Sequence, residues 1–298
     1  MCDFSRYGGP SEEWLALEAT LPPAPGDPSA PGFKQKANEG REAISAAAFK
    51  ALAPKLQVAD YTIPTRDGET IEARTYRPVS APKDAELPLY IHLHGGGYYF
   101  GTLASEDAIC ARIALGADAV VLNVNYRHTP EYKYPVQWHD SEDAFIWAHA
   151  NIQTLGADPE KVVVGGISAG AHFAASLTLQ QHLGKAATSC PRIAGQVLMI
   201  PCLVASGCYE PQLAKLSDPS VSSYKENENA PILSVKRCRW FTSMLGIEDP
   251  MAEGLKLSPG NATPEEVKGM PPTVFGITGL DPLRDEGLLY AKMLTEAG

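Results

Sequence analysis

The sequence predicts an α/β protein with a mainly parallel central sheet flanked by helices. Short apolar runs of strand length alternate with segments of helical periodicity from Val58 onward, which is typical of strands joined by crossover helices. Glycine-rich segments also directly follow two of the apolar runs, as turns at the ends of buried strands do. The 298 residues are enough for one such domain, so we predict a single domain over residues 1–298.

Each element is predicted from its own pattern. Tyr61–Thr65 and Thr70–Tyr76 flank Asp67-Gly68, and this arrangement predicts a β-hairpin. Short apolar runs predict buried strands at Leu87–Leu93, Ala119–Val124, Lys161–Val164, Ile193–Ile200 and Thr273–Ile277. Helical periodicity predicts helices at Phe33–Leu52, Glu106–Leu115, Val136–Leu155, Ala169–Leu183 and Leu283–Glu296.

Two segments depart from this alternation. Leu21–Pro31 is rich in proline, glycine and alanine and predicts an irregular linker, so the helix after it would be an appendage packed on the core. Cys202–Pro259 is loop-rich, with one helical piece at Val235–Leu245. We expect this second segment to be an insertion over one edge or the top of the sheet.

Composition excludes several classes of protein. The chain has 35 acidic and 25 basic residues, a net charge of −10 and a pI of about 5.2, which argue against binding to nucleic acid or to an anionic membrane. No apolar run approaches the ~18 residues of a spanning helix, and the N-terminus lacks the pattern of a signal peptide, so we predict a cytoplasmic protein. The six cysteines are scattered without metal-ligand spacing. We therefore expect no metal.

One motif indicates a nucleophile. Residues 166–170 read G-I-S-A-G and match G-x-S-x-G between the strand Lys161–Val164 and the helix Ala169–Leu183. In such a turn the serine is strained and has close neighbours, which is why glycines flank it. The alternative is a strand-to-helix turn without chemistry. The position between a buried strand and a helix favours Ser168 as a nucleophile.

A second motif indicates an oxyanion site. Residues 94–97 read H-G-G-G and follow the third predicted strand, Leu87–Leu93. Acyl transfer places negative charge on the carbonyl oxygen, and glycines let backbone N–H groups approach it. A flexible turn or a phosphate-binding loop is the alternative, although the G-x-x-x-x-G-K-[ST] pattern is absent. We expect His94 to shape this loop by hydrogen bonding rather than to act as a base.

The two motifs, in this order, resemble those of the hormone-sensitive-lipase-like carboxylesterases of the α/β-hydrolase superfamily. Residues 126–131 (Y-R-H-T-P-E), 257–259 (L-S-P) and 279–287 (G-L-D-P-L-R-D-E-G) add to the resemblance, which extends from about Asp60 to the C-terminus. Ile167 departs from it, because many relatives carry an acidic residue there.

The resemblance implies a set of site residues and no organic cofactor. Ser168 would be the catalytic nucleophile, and the oxyanion hole would consist of Gly95, Gly96, Gly97 and Ala169, with Gly95 shaping the loop. Residues of about 1–55 and 203–257 would form the family's helical cap over the acyl-binding cleft.

Asp281 is the candidate catalytic carboxylate. It lies just after the strand Thr273–Ile277, at the carboxyl end where ligand chemistry gathers in such sheets. Alternatively, it caps the following helix, with Pro282 at the first helical position. Asp285 is the rival carboxylate, but it lies inside the predicted helix.

The histidine of the catalytic triad has no counterpart in the expected place. The order in α/β-hydrolases is Ser, Asp, His, whereas all seven histidines here precede Asp281. Three explanations stay open. The chain is short at its C-terminus and lacks the last strand and helix; it is a non-catalytic relative; or another histidine serves, of which His94 is the one placed near the serine by its motif.

These features predict a serine carboxylic-ester hydrolase for small apolar esters, with poor activity in this chain. The alternative is a small-molecule-binding protein that resembles the gibberellin receptors. The expected partner is a small-molecule ester or ligand, and we expect a monomer or homodimer.

Overall fold

The computed structural model describes residues 1–21 and 29–298, so most of the predicted linker Leu21–Pro31 lies outside the described residues. Its strands are β1 (Leu56–Pro64), β2 (Thr70–Pro78), β3 (Leu87–Leu93), β4 (Val120–Asn125), β5 (Ala157–Ile167), β6 (Gly195–Met199) and β7 (Thr273–Gly276). They form a sheet in the order β1-β2-β4-β3-β5-β6-β7, in which β1 with β2 and β2 with β4 are antiparallel and the other pairs are parallel.

In the described residues, the α-helices before the insertion are α1 (Glu12–Glu18), α2 (Phe33–Phe49), α3 (Leu103–Ala117), α4 (Val136–Ala150) and α5 (Ala169–His182). The insertion and the segment after it contain α6 (Glu210–Leu213), α7 (Ser223–Glu226), α8 (Val235–Met244), α9 (Gly254–Leu257) and α10 (Pro264–Val267). The last helix is α11 (Arg284–Ala297), and short 3₁₀ turns lie at Ser5–Tyr7, Ala53–Lys55, Pro219–Val221 and Pro259–Asn261.

Helices cover both faces of the sheet. Side chains of β3 alternate between the faces, as strand geometry requires. Leu89 and Ile91 pack in the core that contains Phe145 of α4 and Phe173 of α5. Tyr90 points to the other face and packs with the α3 side. This confirms the α/β class with a mainly parallel sheet between helices.

Several helices and strands begin or end at other residues than the sequence predicts. α4 ends at Ala150 rather than Leu155. The backbone of Asn151 leaves the helical region, with φ −113° and ψ 16°, and its side-chain N–H donates to the carbonyl of Trp147 at the end of the helix. β5 begins at Ala157, four residues before the predicted Lys161. The first half of the strand is polar, so the apolar run in the sequence does not extend to its start. The insertion also contains more helix than the loop-rich pattern indicated.

The helix α2 and the insertion both pack against other parts of the fold. α2 lies against α3, and the hydroxyl of Ser45 accepts a hydrogen bond from the N–H of Ala108. Near the N-terminus, Cys2 forms a β-bridge with Leu216, in the insertion. None of the helices in the described residues is both long and apolar enough to cross a membrane.

The sheet has β1 and β7 at its two margins. Within the described sheet, β7 pairs with β6 alone, and the side chain of Val274 on β7 is 59% exposed.

Candidate active site

Ser168 stands alone between the end of β5 and the start of α5. Its backbone angles are φ 54° and ψ −114°, a region that residues other than glycine rarely occupy. Its N–H donates to the carbonyl of Met199 at 2.8 Å, which continues the pairing of β5 with β6. Its carbonyl accepts the N–H of His172 at 3.0 Å, in the first turn of α5. These bonds hold the strained turn.

The glycines beside Ser168 are required by close backbone approach. A Cβ at Gly170 would overlap the carbonyl of Leu93 at the end of β3, and a Cβ at Gly166 would overlap the same carbonyl oxygen. The turn after β5 is therefore packed directly on the end of β3. This contact brings Ser168 next to the glycine loop that follows β3.

The glycine loop is held by hydrogen bonds to its carbonyl groups. The hydroxyl of Tyr126 donates to the carbonyl of His94 at 2.8 Å, and Nη2 of Arg41 donates to the carbonyl of Gly95 at 3.1 Å. The carbonyl of Gly96 accepts the N–H groups of Tyr99 and Phe100. Gly96 has φ 143°, and a Cβ there would overlap the backbone of Phe100, so no other residue fits.

The backbone N–H groups of the candidate oxyanion site remain free. In residues 1–21 and 29–298, the N–H groups of Gly96, Gly97 and Ala169 donate to no other residue. Ala169 is the first residue of α5, where a helix has unsatisfied N–H groups and the positive end of its dipole. Free donors beside a serine can bind the oxygen on which negative charge develops.

Asp281 lies in the same cavity wall as Ser168, whereas Asp285 does not. Asp281 is 7% exposed, and its Oδ1 accepts the N–H of Leu283 at 2.9 Å. Burial raises the pKa of Asp281 to about 6, although the hydrogen bond from Leu283 and the charge of Arg284 act in the opposite direction. α11 begins at Arg284, so Asp281 precedes the cap position and Pro282 is not the first helical residue.

Asp285, the rival carboxylate, has structural partners. Its Oδ2 accepts the N–H of Ser223 at 2.7 Å, and its Oδ1 accepts a hydrogen bond from Nε of Arg284. These contacts join α11 to α7 of the insertion.

Glu286 is a buried carboxylate that the sequence argument did not single out. It accepts the N–H of Leu203 at 2.6 Å and the hydroxyl of Tyr209 at 2.7 Å, and Tyr209 in turn contacts the hydroxyl of Tyr224. Burial raises the pKa of Glu286 to about 8. Its place in the motif at residues 279–287 was the one signal available in the sequence.

The histidine side chains make no contact with the side chains of Ser168 and Asp281 in the described residues. All seven are in the described residues, and none of them lines the cavity or hydrogen-bonds either side chain. His94 is fully buried and stacked on Tyr126, with Nδ1 3.2 Å from the carbonyl of Gly95 and Nε2 3.2 Å from Nε2 of His128. Burial lowers the pKa of His94 to about 4. His94 therefore contacts the glycine loop through the carbonyl of Gly95, and burial disfavours its charged form.

A cavity of about 1390 Å³ is bordered by the candidate nucleophile and the candidate carboxylate. Ser168, the glycine loop and Asp281 form its floor, at the carboxyl ends of the strands. The other walls come from the N-terminal region and the insertion, including Trp14, Phe33, Arg41 and Phe241. A second, small cavity of about 40 Å³ also borders Ser168.

Arg41 is another residue near the candidate site that the sequence pattern does not indicate. Besides Gly95, its Nη2 contacts Oε1 of Glu106 at 2.9 Å, and Oε2 of Glu106 lies 3.0 Å from Nε2 of His92. Burial disfavours a charged Glu106, but the hydrogen bond with His92 and the charge of Arg41 lower its pKa to about 2. An ion pair thus ties α2 and α3 to the glycine loop. No local pattern around Arg41 marks it, because the contact depends on how α2 packs.

In sequence, the chain is similar to a known hydrolase family and to known ester hydrolases. A family model described as the alpha/beta hydrolase fold matches residues 90–298. The chain is 35% identical to Esterase LipI of Mycobacterium tuberculosis over 82% of this chain and 71% of that protein. It is 30% identical to an ethyl acetate hydrolase of Pseudomonas putida over 81% of this chain and 70% of that protein.

Among solved structures, the chain is also similar to esterases. An esterase from Pyrobaculum calidifontis superposes with a TM-score of 0.76 and 30% identity, covering 97% of this chain and 86% of that chain. The fold, the order of the motifs and these relatives together assign the chain to the α/β-hydrolase family, among the hormone-sensitive-lipase-like carboxylesterases, and make it a hydrolase by family.

Proposed function

We propose that the chain is a serine carboxylic-ester hydrolase for small esters, in which Ser168 is the nucleophile. The observation that carries the proposal is the strained Ser168 beside three N–H groups that have no partner in the described residues. Gly96 and Gly97 line the large cavity with Ser168, and Ala169 borders the small cavity that also reaches Ser168. That arrangement provides a nucleophile and a site for the oxyanion. The aromatic side chains of Phe100 and Phe241 in the cavity wall favour an apolar substrate body.

The reaction proceeds by two acyl transfers. Oγ of Ser168 bonds to the acyl carbon and loses its proton to a base, while the carbonyl electron pair moves to oxygen and is held by the free N–H groups. Collapse of this intermediate breaks the bond to the alcohol, which leaves with a proton. Water then attacks the acyl-serine by the same sequence and releases the acid.

The proposed mechanism lacks an evident general base in this chain. In the described residues, no histidine side chain lines the cavity with Ser168, so none is placed to accept the proton of its hydroxyl. Enzymes that lack one triad member keep roughly 10³–10⁴-fold acceleration over water, from the oxyanion hole and binding alone. We therefore propose that the 298-residue chain turns esters over slowly.

We also propose that residues of about 1–55 and 203–257 form a cap, of which residues 22–28 lie outside the described residues. Trp14 and Arg41 from the first segment and Phe241 from the second contribute to the cavity wall. A Cβ at Gly97 would overlap the ring of Phe241, so this part of the insertion lies directly on the glycine loop. A cap in this position shields the reacting groups from bulk water.

A direct assay tests the nucleophile. We expect slow hydrolysis of p-nitrophenyl acetate and butyrate by the 298-residue chain and a further loss of this activity in Ser168→Ala, since the attacking oxygen is removed. The matched control is Ser243→Ala, an exposed serine of α8 that should behave as wild type. Equal rates for wild type and Ser168→Ala would refute the nucleophile. Fast turnover that depends on Ser168 would refute the missing base.

Added imidazole tests the missing base separately. If the proton acceptor is the limiting group, imidazole should raise the turnover of wild type by more than it raises the background in Ser168→Ala. The background matters because imidazole itself cleaves activated esters. An equal increase in both proteins would argue against a site that lacks only its base.

The second candidate function is small-molecule binding without catalysis. It is favoured by the same absence of a histidine beside Ser168 in the described residues, together with an intact cavity. A chain that binds an apolar ester with unchanged affinity in Ser168→Ala, and that shows no turnover dependent on Ser168 with or without imidazole, would support this function over hydrolysis.

A further inference from the structure

We propose that the ligand of the large cavity carries a negatively charged oxygen group, a carboxylate or a phosphate, apart from the ester that Ser168 attacks. This inference rests on the proposed function, and it names the class of ester that the cavity would accept. It depends on the polar side chains of the cavity wall and on what each of them already binds.

The cavity wall is rich in cations, although the chain as a whole is acidic. Lys36 and Arg41 of α2 and Arg237 of α8 all line the cavity, while the chain carries a net charge of −10. A cleft lined by one sign of charge between apolar walls concentrates ions of the opposite sign. The ligand favoured by these three side chains is an anion.

The acidic groups of the wall do not cancel these cations. Glu106 and Asp281 are the acidic residues that line the cavity. Both carboxylate oxygens of Glu106 are in use, one with Arg41 and the other with His92. Asp281 is 7% exposed and gives one oxygen to the N–H of Leu283. With Arg41 balanced by Glu106, the charges of Lys36 and Arg237 are left in excess over Asp281.

Hydrogen-bond donors without a partner in the cavity wall also favour an anionic ligand. Within residues 1–21 and 29–298, Lys36 and Arg237 form no ion pair, and the one hydrogen bond of the Arg237 side chain goes to the carbonyl of Ile232. The indole N–H of Trp14, also in the cavity wall, is buried and has no hydrogen-bond partner among the described residues. Buried indole N–H groups usually have an acceptor. An oxyanion supplies acceptors and negative charge together.

The anion would belong to a part of the ligand other than the reacting carbonyl. The N–H groups of Gly96 and Gly97 are donors on the floor of the cavity, and that of Ala169 lies next to Ser168. Trp14, Lys36 and Arg237 belong to α1, α2 and α8, which form other walls. An ester placed at Ser168 with a charged end toward those helices would satisfy both sets of donors at once.

Two dyes with the same ring system test the inference without requiring turnover. 1-Anilinonaphthalene-8-sulfonate carries one sulfonate, and N-phenyl-1-naphthylamine is the same molecule without it. We expect the full chain to bind the sulfonate dye more tightly, with an affinity that falls as salt is added. In the double variant Lys36→Met and Arg237→Met, binding of the sulfonate dye should weaken about fivefold or more, and that of the neutral dye less than about twofold.

The matched control is the double variant Lys83→Met and Lys185→Met, which removes two exposed cations outside the cavity wall. It should bind both dyes as wild type does. Equal affinity for the two dyes in wild type, or an equal loss in both double variants, would overturn the inference. Displacement of the sulfonate dye by 4-phenylbutyrate or by phenyl phosphate then identifies the anion, and equal displacement by neutral 4-phenylbutanol would also overturn it.

The outcomes separate this inference from the proposed function. Cation-dependent dye binding without any turnover dependent on Ser168 would refute the hydrolase and leave an anion-binding cavity. Turnover that depends on Ser168, with no preference for the anionic dye, would refute the anionic ligand alone.

Discussion

At the scale of single residues, the candidate site residues that the sequence indicates are those in local turns. Ser168 and the glycines at 95–97 lie in contiguous motifs, because a strained turn or a close approach restricts several adjacent positions at once. Arg41 and Trp14 could not be predicted in this way. Each reaches the cavity through the packing of a helix, and nothing in its neighbouring residues records that packing.

Gly170→Ala should destabilise the protein strongly. A Cβ at this position would overlap the carbonyl group of Leu93, and backbone cannot move aside as a flexible side chain can. Overpacking of this kind costs about 1–3 kcal/mol or more. We expect the free energy of unfolding, measured by urea denaturation, to fall by about 3 kcal/mol.

The matched control is Gly116→Ala near the end of α3, where an added Cβ has no neighbour within 4 Å. Because alanine favours helix over glycine by up to about 1 kcal/mol, this variant should be as stable as wild type or slightly more stable. Equal effects of the two substitutions would contradict the close approach at Gly170.

At the scale of elements, periodicity predicts that an element exists better than it predicts where the element ends. The pattern predicts that α3 begins at Glu106, but it begins at Leu103 because Thr102 caps it. The side chain of Thr102 accepts the N–H of Ser105, and the hydroxyl of Ser105 accepts the N–H of Thr102. The short helices of the insertion were not predictable from periodicity. α7, for example, is held by the bond from Ser223 to Asp285, which is distant in sequence.

Thr102→Ala should destabilise the protein by about 1 kcal/mol, the usual cost of losing a helix cap. The variant loses the capping bond and the hydrogen bond from Thr102 to Glu42 of α2. Urea denaturation would measure the loss. Thr20→Ala, at an exposed threonine after α1, is the control and should stay within about 0.5 kcal/mol of wild type. A loss no greater than that of the control would argue against the cap.

At the scale of the whole molecule, the fold class follows from the sequence because the alternation of buried strands and helices allows few arrangements. The relation of the N-terminal region and the insertion to the sheet does not follow in the same way. It depends on contacts such as the bridge between Cys2 and Leu216, which no local pattern encodes. Glu286 is a similar case, since it joins α11 to Leu203 and Tyr209 of the insertion.

Glu286→Gln should make the stability of the fold less dependent on pH. Burial raises the pKa of Glu286 to about 8 in the folded protein, above its ordinary value of 4.5. Between these values the folded state keeps a proton that the unfolded state has lost, so the free energy of unfolding of wild type falls as pH rises. Glutamine has no such proton.

The test is urea denaturation of wild type and Glu286→Gln across this range of pH. The stability of the variant relative to wild type should increase steadily from about pH 4.5 to about pH 8. A difference that stays constant with pH would contradict the raised pKa.

The margin of the sheet at β7 has a consequence for handling the purified protein. A strand that pairs on one side offers unpaired backbone groups to other molecules, and Val274 adds an exposed apolar side chain to that edge. Concentrated solutions should therefore self-associate by edge-to-edge pairing. A charged side chain there would oppose this, so Val274→Lys should raise the concentration at which light scattering first detects aggregates.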